Sequence, residues 1–215
     1  VYNGEKYIEQ RIHYFLHPDE WINGSELIII SPGSTDNTNQ IINQFKDDSR
    51  VQIIIEKKIT KIQCLNKYVP LAKNELLILS DFRQKVRSGS VKNLIRHFQD
   101  PEIAVVSSTL LDQNNTNFSF RNVLNKMAFN KLTYGSSLNV FGALYAQRKK
   151  YFTSFPENLL FDDLFVVANT LRQKKRLIQD KEAIIEDLSF ENYYQKERIE
   201  RLARGLLILI SSQKQ

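Results

Sequence analysis

The stretch ELIIISPGSTDNT, residues 26–38, decides how this chain folds. Residues 27–30 are a continuous apolar run, which is typical of a β-strand buried on both faces. A glycine turn and a helical pattern follow, with Ser34 or Thr35 as the expected helix cap and Asp36 in the first turn. The segment therefore predicts a strand, a tight turn and a helix, which is the repeating unit of an α/β fold.

The rest of the chain continues this alternation of strands and helices. No linker interrupts it, so residues 1–215 are expected to form one domain built on a mostly parallel sheet. The other predicted strands cover residues 51–55, 76–79, 103–107, 140–146, 176–178 and 183–185, and the other predicted helices cover residues 5–17, 61–72, 91–98, 122–132, 162–171 and 194–210.

The composition suits a folded protein with an anionic partner. Hydrophobic residues make up 42% of the 215 residues, enough for a sizeable core, and the net charge is +6. A nucleotide, a membrane surface or a nucleic acid would complement that charge. No nucleic-acid-binding fingerprint accompanies the basic clusters, so no nucleic acid is expected as a partner. The single cysteine, Cys64, excludes an internal disulfide and suits a reducing compartment.

The two ends of the chain suggest a piece of a longer protein. The chain opens on VYNG, residues 1–4, a turn signal without a strand before it. No apolar stretch reaches the ~20 residues that are needed to span a bilayer. We therefore expect a fragment that lacks a first strand and any flanking transmembrane helices. The apolar run at residues 206–210 ends the last predicted helix, and it either packs on the core or lies at a membrane face.

Two strand ends carry residues that could bind a ligand, because open α/β sheets bind ligands beyond the carboxyl ends of their strands. The turn at residues 31–36 offers backbone N–H groups to an anion. An ordinary capped turn explains the same residues, and the pattern alone favours that simpler explanation. Further along, Asp81 and Arg83 follow a predicted strand. They could bind a metal, a ribose or a phosphate, or they could form a surface ion pair.

Two later segments are also candidates. Asp162 and Asp163 open a predicted helix, where the helix dipole favours carboxylates, and one of them could act as a general base. Three arginines lie three residues apart on one face of the last predicted helix, which also carries Gln195. They could bind phosphates, or they could form a solvated basic face. These arginines are Arg198, Arg201 and Arg204.

Taken in order, these segments resemble glycosyltransferase family 2, and the resemblance covers nearly the whole chain. Residues 26–38 resemble the family's E-I-I-V-V-D-D-G-S-T-D-x-T block, which is fairly specific. The other similar segments are residues 2–8 (P-x-Y-N-x-E-x-x-I), 61–66 (G-K-x-x-A-L-N), 74–83 (G-E-x-x-x-x-x-D-x-D), 139–148 (G-x-x-x-x-x-R-R), 161–163 (E-D) and 195–199 (Q-x-x-R-W).

The resemblance implies a GT-A fold, three-layer α/β/α with a mostly parallel, Rossmann-like central sheet. It implies an enzyme that transfers a sugar, with inversion, from a nucleotide-sugar donor, usually UDP-linked, to a hydroxyl of a glycan or a lipid-linked acceptor. The expected place of action is the cytoplasmic face of the cell membrane. Asp163 is the expected base, with Asp162 as the second candidate, and a divalent cation, Mn²⁺ or Mg²⁺, is expected at Asp81.

The resemblance also implies two sets of binding residues. The donor set is Tyr2, Asn3, Ser31, Gly33, Asp36, Lys61, Asp81 and Arg83. The set for the acceptor or the diphosphate is Gly142, Gln195, Arg198 and Arg201.

The chain departs from the family pattern at the expected donor site. Ser31 and Pro32 replace an Asp pair that usually grips the nucleoside, and Arg83 replaces the second Asp of D-x-D. Residues 80–84, SDFRQ, resemble an S-D-x-R-Q variant of that motif, so the cation could be weakly bound or dispensable. The alternative function is a catalytically silent module that binds nucleotide sugars or glycans on the same fold.

Overall fold

The computed structural model describes residues 1–112, 137, 140–157, 159 and 161–187. The helices expected at residues 122–132 and 194–210 lie outside the described residues. Short 3-10 helices, Val69–Leu71, Arg96–Gln99 and Lys149–Tyr151, follow α3, α4 and β6. In chain order the main elements are α1 (Ile8–Leu16), β1 (Leu27–Pro32), α2 (Thr38–Asn43), β2 (Val51–Glu56), α3 (Lys61–Tyr68), β3 (Leu76–Ser80), β4 (Lys85–Val86), α4 (Ser90–Ile95), β5 (Ile103–Asp112), β6 (Leu144–Arg148), α5 (Asp162–Arg172) and β7 (Arg176–Asp187).

The described strands form two hydrogen-bonded groups. β1 and β2 pair in parallel, and the other five strands lie in the order β3-β6-β5-β7-β4. In this larger sheet β5 and β7 are parallel, whereas β6 is antiparallel to both of its neighbours and β4 is antiparallel to β7. The α/β class is confirmed, but the sheet is mixed where a mostly parallel one was expected. An apolar run indicates that a strand is buried and does not give its direction.

The predicted three layers are confirmed. Successive residues of a strand face opposite sides of the sheet, and helices cover both sides here. On one side, Val105 of β5 belongs to a buried cluster with Ile62 of α3 and Val166 of α5. On the other side, the next residue, Val106, packs in a cluster with Leu94 of α4. A third cluster joins α1 and α2 to β1.

Several predicted elements have different ends in the structure. β6 begins at Leu144, so residues 140–143, which were expected to be extended, form the turn before it. The two short strands expected at residues 176–178 and 183–185 belong to one strand, β7, which contains register irregularities opposite β5. Strand β4 was not predicted, because two residues are too few to form a recognisable pattern. No described helix is both long enough and apolar enough to cross a membrane.

The helix after β1 begins later than expected, at Thr38, and Asn37 takes the cap position instead of Ser34 or Thr35. The side chains of those two residues are used elsewhere. Ser34 Oγ accepts the Asn3 backbone N–H at 3.2 Å, and Thr35 Oγ1 accepts an N–H of the Asn3 side-chain amide at 3.3 Å. The turn after β1 is therefore stabilised by the N-terminal residues that lie across it and not by a helix cap.

Thr38 is buried between the turn after β1 and the residues that precede α1. Its hydroxyl accepts the Gly4 N–H at 2.8 Å and also bonds to Asp36 Oδ1. Asp36 accepts the Thr38 N–H as well, at 3.0 Å, and its other oxygen accepts the Glu5 N–H at 3.2 Å. The carboxylate of Asp36 therefore holds the turn and the start of α1 together.

We expect Thr38→Val to lower the free energy of unfolding by about 1–3 kcal/mol, because it leaves the Gly4 N–H without its buried acceptor. Urea unfolding followed by circular dichroism measures the change. Thr35→Val is the matched control: Thr35 is exposed, and its substitution should change stability by less than about 0.5 kcal/mol. Equal losses in the two variants would contradict this account of the turn.

Candidate active site

Four segments of the chain meet at one end of the central sheet, and three of them contribute charged residues. Lys61 is the first residue of α3, Asp81 follows β3 directly, and Asp162 and Asp163 form the first turn of α5. Lys61 Nζ lies 3.3 Å from Asp81 Oδ1 and 2.8 Å from Asp162 Oδ2. The fourth segment is the turn at residues 142–143, just before β6.

The strand register explains why Asp81 meets the turn before β6. Ser80, the last residue of β3, lies opposite Leu144, the first residue of β6. The next residues outward, Asp81 and Ala143, are therefore neighbours, and the Asp81 N–H donates to the Ala143 carbonyl oxygen at 3.0 Å. This pairing fixes the backbone of Asp81 and leaves its carboxylate for other contacts.

Lys61 is held in place by a well-formed helix start. Thr60 caps α3: its hydroxyl accepts the Gln63 N–H at 3.2 Å, and the Gln63 side chain accepts the Thr60 N–H at 2.9 Å. Partial burial acts to lower the pKa of the Lys61 ammonium, but the charges of Asp81 and Asp162 outweigh it and raise that pKa. Lys61 therefore stays protonated and links these two carboxylates.

Asp163 fits tightly against Gly142. A Cβ atom on Gly142 would lie 2.3 Å from Asp163 Oδ1, so only glycine leaves room for the carboxylate. The Gly142 N–H also acts on the Asp163 carboxylate and lowers its pKa. Gly142 was expected to contact the acceptor or the diphosphate, and the structure places it against the expected base.

The surroundings of Asp163 raise its pKa to about 7. Burial is the main cause, and the negative charge of Asp162 adds to it, whereas Lys61 and the Gly142 N–H act in the opposite direction. A carboxyl group with a pKa near neutrality can take up and release a proton under physiological conditions, which is what a general base requires.

Tyr145 is buried and close enough to the three carboxylates for their charges to act on its hydroxyl. It lies on β6, and burial, followed by the charges of Asp162, Asp163 and Asp81, raises the pKa of its hydroxyl. Sequence reasoning did not select this residue, because a tyrosine in an extended apolar segment is typical of ordinary core packing.

Arg83 does not pair with Asp81, so the surface ion pair considered from the sequence is wrong. Asp81 pairs with Lys61 instead, and the exposed Arg83 guanidinium lies 6.0 Å from the centre of the Phe82 ring. No carboxylate in the described part of the chain forms an ion pair with Arg83. Its charge is therefore available to an anionic ligand next to Asp81.

The turn after β1 uses most of its polar groups internally. Ser31 Oγ bonds to Asn39 Oδ1 at 2.7 Å and to Ser34 Oγ at 2.9 Å, and the Gly33 N–H donates to the Ser31 carbonyl oxygen at 3.1 Å. Asp36 is occupied by Thr38 and by the start of α1, as described above. In the described residues, no hydrogen bond or ion pair joins this turn to Lys61 and the acidic residues.

The remaining expected site residues either belong to the N-terminal segment or lie outside the described residues. Tyr2 is exposed, with 48% of its surface accessible, and Asn3 has a positive φ of 47° and bonds to the turn. Gln195, Arg198 and Arg201 lie outside the described residues.

A divalent cation would find one protein ligand here. Among the described residues there is no group of three or more His, Cys, Asp or Glu side chains that could hold a metal ion. The side chain of Asp81 is 40% exposed and can offer an oxygen, whereas the Asp163 carboxylate packs against Gly142. Asp81 therefore fits a cation that takes its other ligands from elsewhere, as Mg²⁺ does when it binds substrate phosphates.

Comparison with known proteins identifies the family. The sequence profile described as "Glycosyl transferase family 2" matches residues 1–160. The chain belongs to this family. One curated relative, Glycosyltransferase GlyG of Streptococcus pneumoniae serotype 4 (strain ATCC BAA-334 / TIGR4), is 27% identical over 124 residues, which are 56% of this chain and 40% of GlyG. The chain thus spans about two fifths of that relative.

Solved structures of glycosyltransferases share the fold. The mannosyltransferase PcManGT from Pyrobaculum calidifontis, in complex with GDP-Man and Mn²⁺, superposes with a TM-score of 0.81 at 19% identity, over 96% of this chain and 59% of PcManGT. Glucosyl-3-phosphoglycerate synthase from Mycobacterium tuberculosis, in complex with phosphoglyceric acid, gives 0.67 at 17% identity, over 98% of this chain and 76% of the synthase. The expected GT-A fold is confirmed.

We expect Gly142→Ala to lower the free energy of unfolding by about 1–3 kcal/mol, because the new methyl group collides with the Asp163 carboxylate. In an Asp163→Ala background the same substitution should cost less than about 0.5 kcal/mol, since the colliding atoms are gone. Urea unfolding of the four proteins of this cycle measures both values. The same cost in both backgrounds would show that Gly142 is required for another reason.

Proposed function

We propose that this family 2 chain is the catalytic domain of an inverting glycosyltransferase with Asp163 as its general base. The observation that carries the proposal is the environment of Asp163: a carboxylate fixed against Gly142, next to Asp162 and Lys61, with its pKa raised to about 7. A surface carboxylate at a helix start would not need a neighbouring glycine and would stay ionised far below neutral pH.

The proposed reaction transfers one sugar from a nucleoside-diphosphate sugar to a hydroxyl group. Asp163 takes the proton of the acceptor hydroxyl while the oxygen attacks C1 of the sugar. The bond from C1 to the diphosphate breaks on the opposite face, so the configuration at C1 inverts and the nucleoside diphosphate leaves. Positive groups placed in advance stabilise the charge that develops on the leaving group, and Lys61 and Arg83 are the candidates for that role.

For the donor and the acceptor we propose chemical classes. A UDP-linked sugar is the first candidate from the family resemblance, and a GDP-linked sugar is the second, because PcManGT is seen with GDP-Man. The M. tuberculosis synthase is seen with Mn²⁺, UDP-Glc and glycerol 3-phosphate. For this chain we propose a glycan or lipid-linked acceptor, bound partly by Gln195, Arg198 and Arg201. Any Mn²⁺ or Mg²⁺ would be held by Asp81 together with donor phosphates.

The direct test is turnover by wild type, Asp163→Asn and Asp162→Asn with UDP-glucose and GDP-mannose as first donors. Release of UDP or GDP is measured across a panel of glycan and lipid-linked acceptors, with Mn²⁺ and with EDTA. Asp163→Asn should lower kcat by about 10²–10⁴-fold, because it removes the base. Wild-type kcat/KM should rise as pH increases through about 7, since Asp163 must lose its proton before it can act.

Asp162→Asn is the matched control one residue away. It should retain turnover and shift the rising limb of the pH profile to lower pH, because the charge of Asp162 raises the pKa of Asp163. Loss of turnover in Asp162→Asn with retention in Asp163→Asn would show that Asp162, and not Asp163, is the general base. Calorimetric binding of UDP or GDP by wild type without turnover on the whole panel would favour the catalytically silent module.

A further inference from the structure

A buried arginine lies directly behind the candidate site. Arg11 is on α1, and only 7% of its surface is exposed. Its guanidinium donates to Ser80 Oγ at 3.4 Å and lies 5.8 Å from the centre of the Phe15 ring. No ion pair joins it to a carboxylate in the part of the chain that the structure describes. A buried charge without a paired opposite charge costs stability, so an apolar side chain would suit this position better if packing were its only role.

The contacts of Ser80 connect Arg11 to both halves of the site. Ser80 Oγ donates to the carbonyl oxygen of Asp81 at 2.8 Å. The Asp81 N–H in turn donates to the Ala143 carbonyl oxygen, next to the glycine that contacts Asp163. Arg11 therefore contacts the end of β3 directly through Ser80. The neighbouring residue, Asp81, continues the contact to the turn beside the expected base.

Arg11 remains charged in this position. Burial lowers its pKa to about 10, while Tyr14 and the negative charge of Asp81 act to raise it, so the guanidinium is protonated at neutral pH. The three carboxyl groups of Asp81, Asp162 and Asp163 face two nearby cations, Lys61 and the exposed Arg83. An anionic diphosphate approaching this cluster is repelled unless further positive charge lies close by.

We propose that Arg11 is a positioning residue of the donor site: it holds the Ser80–Asp81 strand end and supplies a fixed positive charge beneath the place where the donor diphosphate binds. This inference rests on the proposed function, because it requires a nucleoside diphosphate next to Asp81. The family motifs quoted above do not include the arginine position on α1. Its assignment depends on the burial of Arg11, on the lack of an ion pair between Arg11 and any described residue, and on its contact with Ser80.

Calorimetric titration with UDP and with GDP tests the proposal, using wild type, Arg11→Met, Arg11→Lys and Ser80→Ala. Arg11→Met keeps an unbranched side chain and removes the charge, so it should weaken binding of the nucleoside diphosphate by about tenfold. Arg11→Lys keeps the charge and should bind within about threefold of wild type. Ser80→Ala removes the hydroxyl that Arg11 contacts and should weaken binding by about threefold.

The fold control is Ile12→Ala, the adjacent buried residue of α1, which packs in the cluster that joins α1, α2 and β1. It should lower the melting temperature and leave the dissociation constant unchanged. Wild-type affinity in Arg11→Met, or equal weakening in Arg11→Lys and Arg11→Met, would overturn the proposal. If Arg11→Met does not fold, unchanged binding by Ser80→Ala overturns it instead. Absence of UDP and GDP binding by wild type would reject the proposed function itself.

Discussion

The candidate site depends on one ammonium group. Lys61 Nζ lies within ion-pair distance of both Asp81 and Asp162, which come from a strand end and a helix start far apart in the sequence. Without this positive charge, three carboxylates would face one another in a partly buried space, and their repulsion would favour protonation or separation. Lys61 holds Asp81 and Asp162 close together, and it lowers the pKa of Asp163.

Helix capping and strand pairing place Lys61 and its partners. The capping box of α3 fixes the backbone of Lys61, and the antiparallel pairing of β3 with β6 sets Asp81 beside the turn at residues 142–143. That turn carries the glycine against which Asp163 packs. The antiparallel direction of β6, which the sequence did not predict, is therefore the feature that brings Asp81 next to the turn that contacts Asp163.

Sequence patterns predicted most of the described elements and pointed to candidate site residues, but they did not give the contacts between those residues. Asp81, Gly142 and Asp163 stood out because each belongs to a short motif at the end of an element. The ion pair between Lys61 and Asp81 could not be read from such motifs, because it depends on how α3 and β3 pack together. Arg11 and Tyr145 were missed because each is a single residue within an apolar pattern, and only the fold shows which one approaches the carboxylates.

The most direct test of the account is the protonation of Asp163 itself. Nuclear magnetic resonance of ¹³C-labelled aspartate carboxyl groups, recorded from pH 4 to 9 on wild type and on Asp163→Asn, would follow it without any substrate. The account predicts one carboxyl resonance that titrates near pH 7 in wild type and is missing in Asp163→Asn. If every aspartate titrates below about pH 5, as unperturbed carboxyl groups do, Asp163 is an ordinary ionised residue and the account is contradicted.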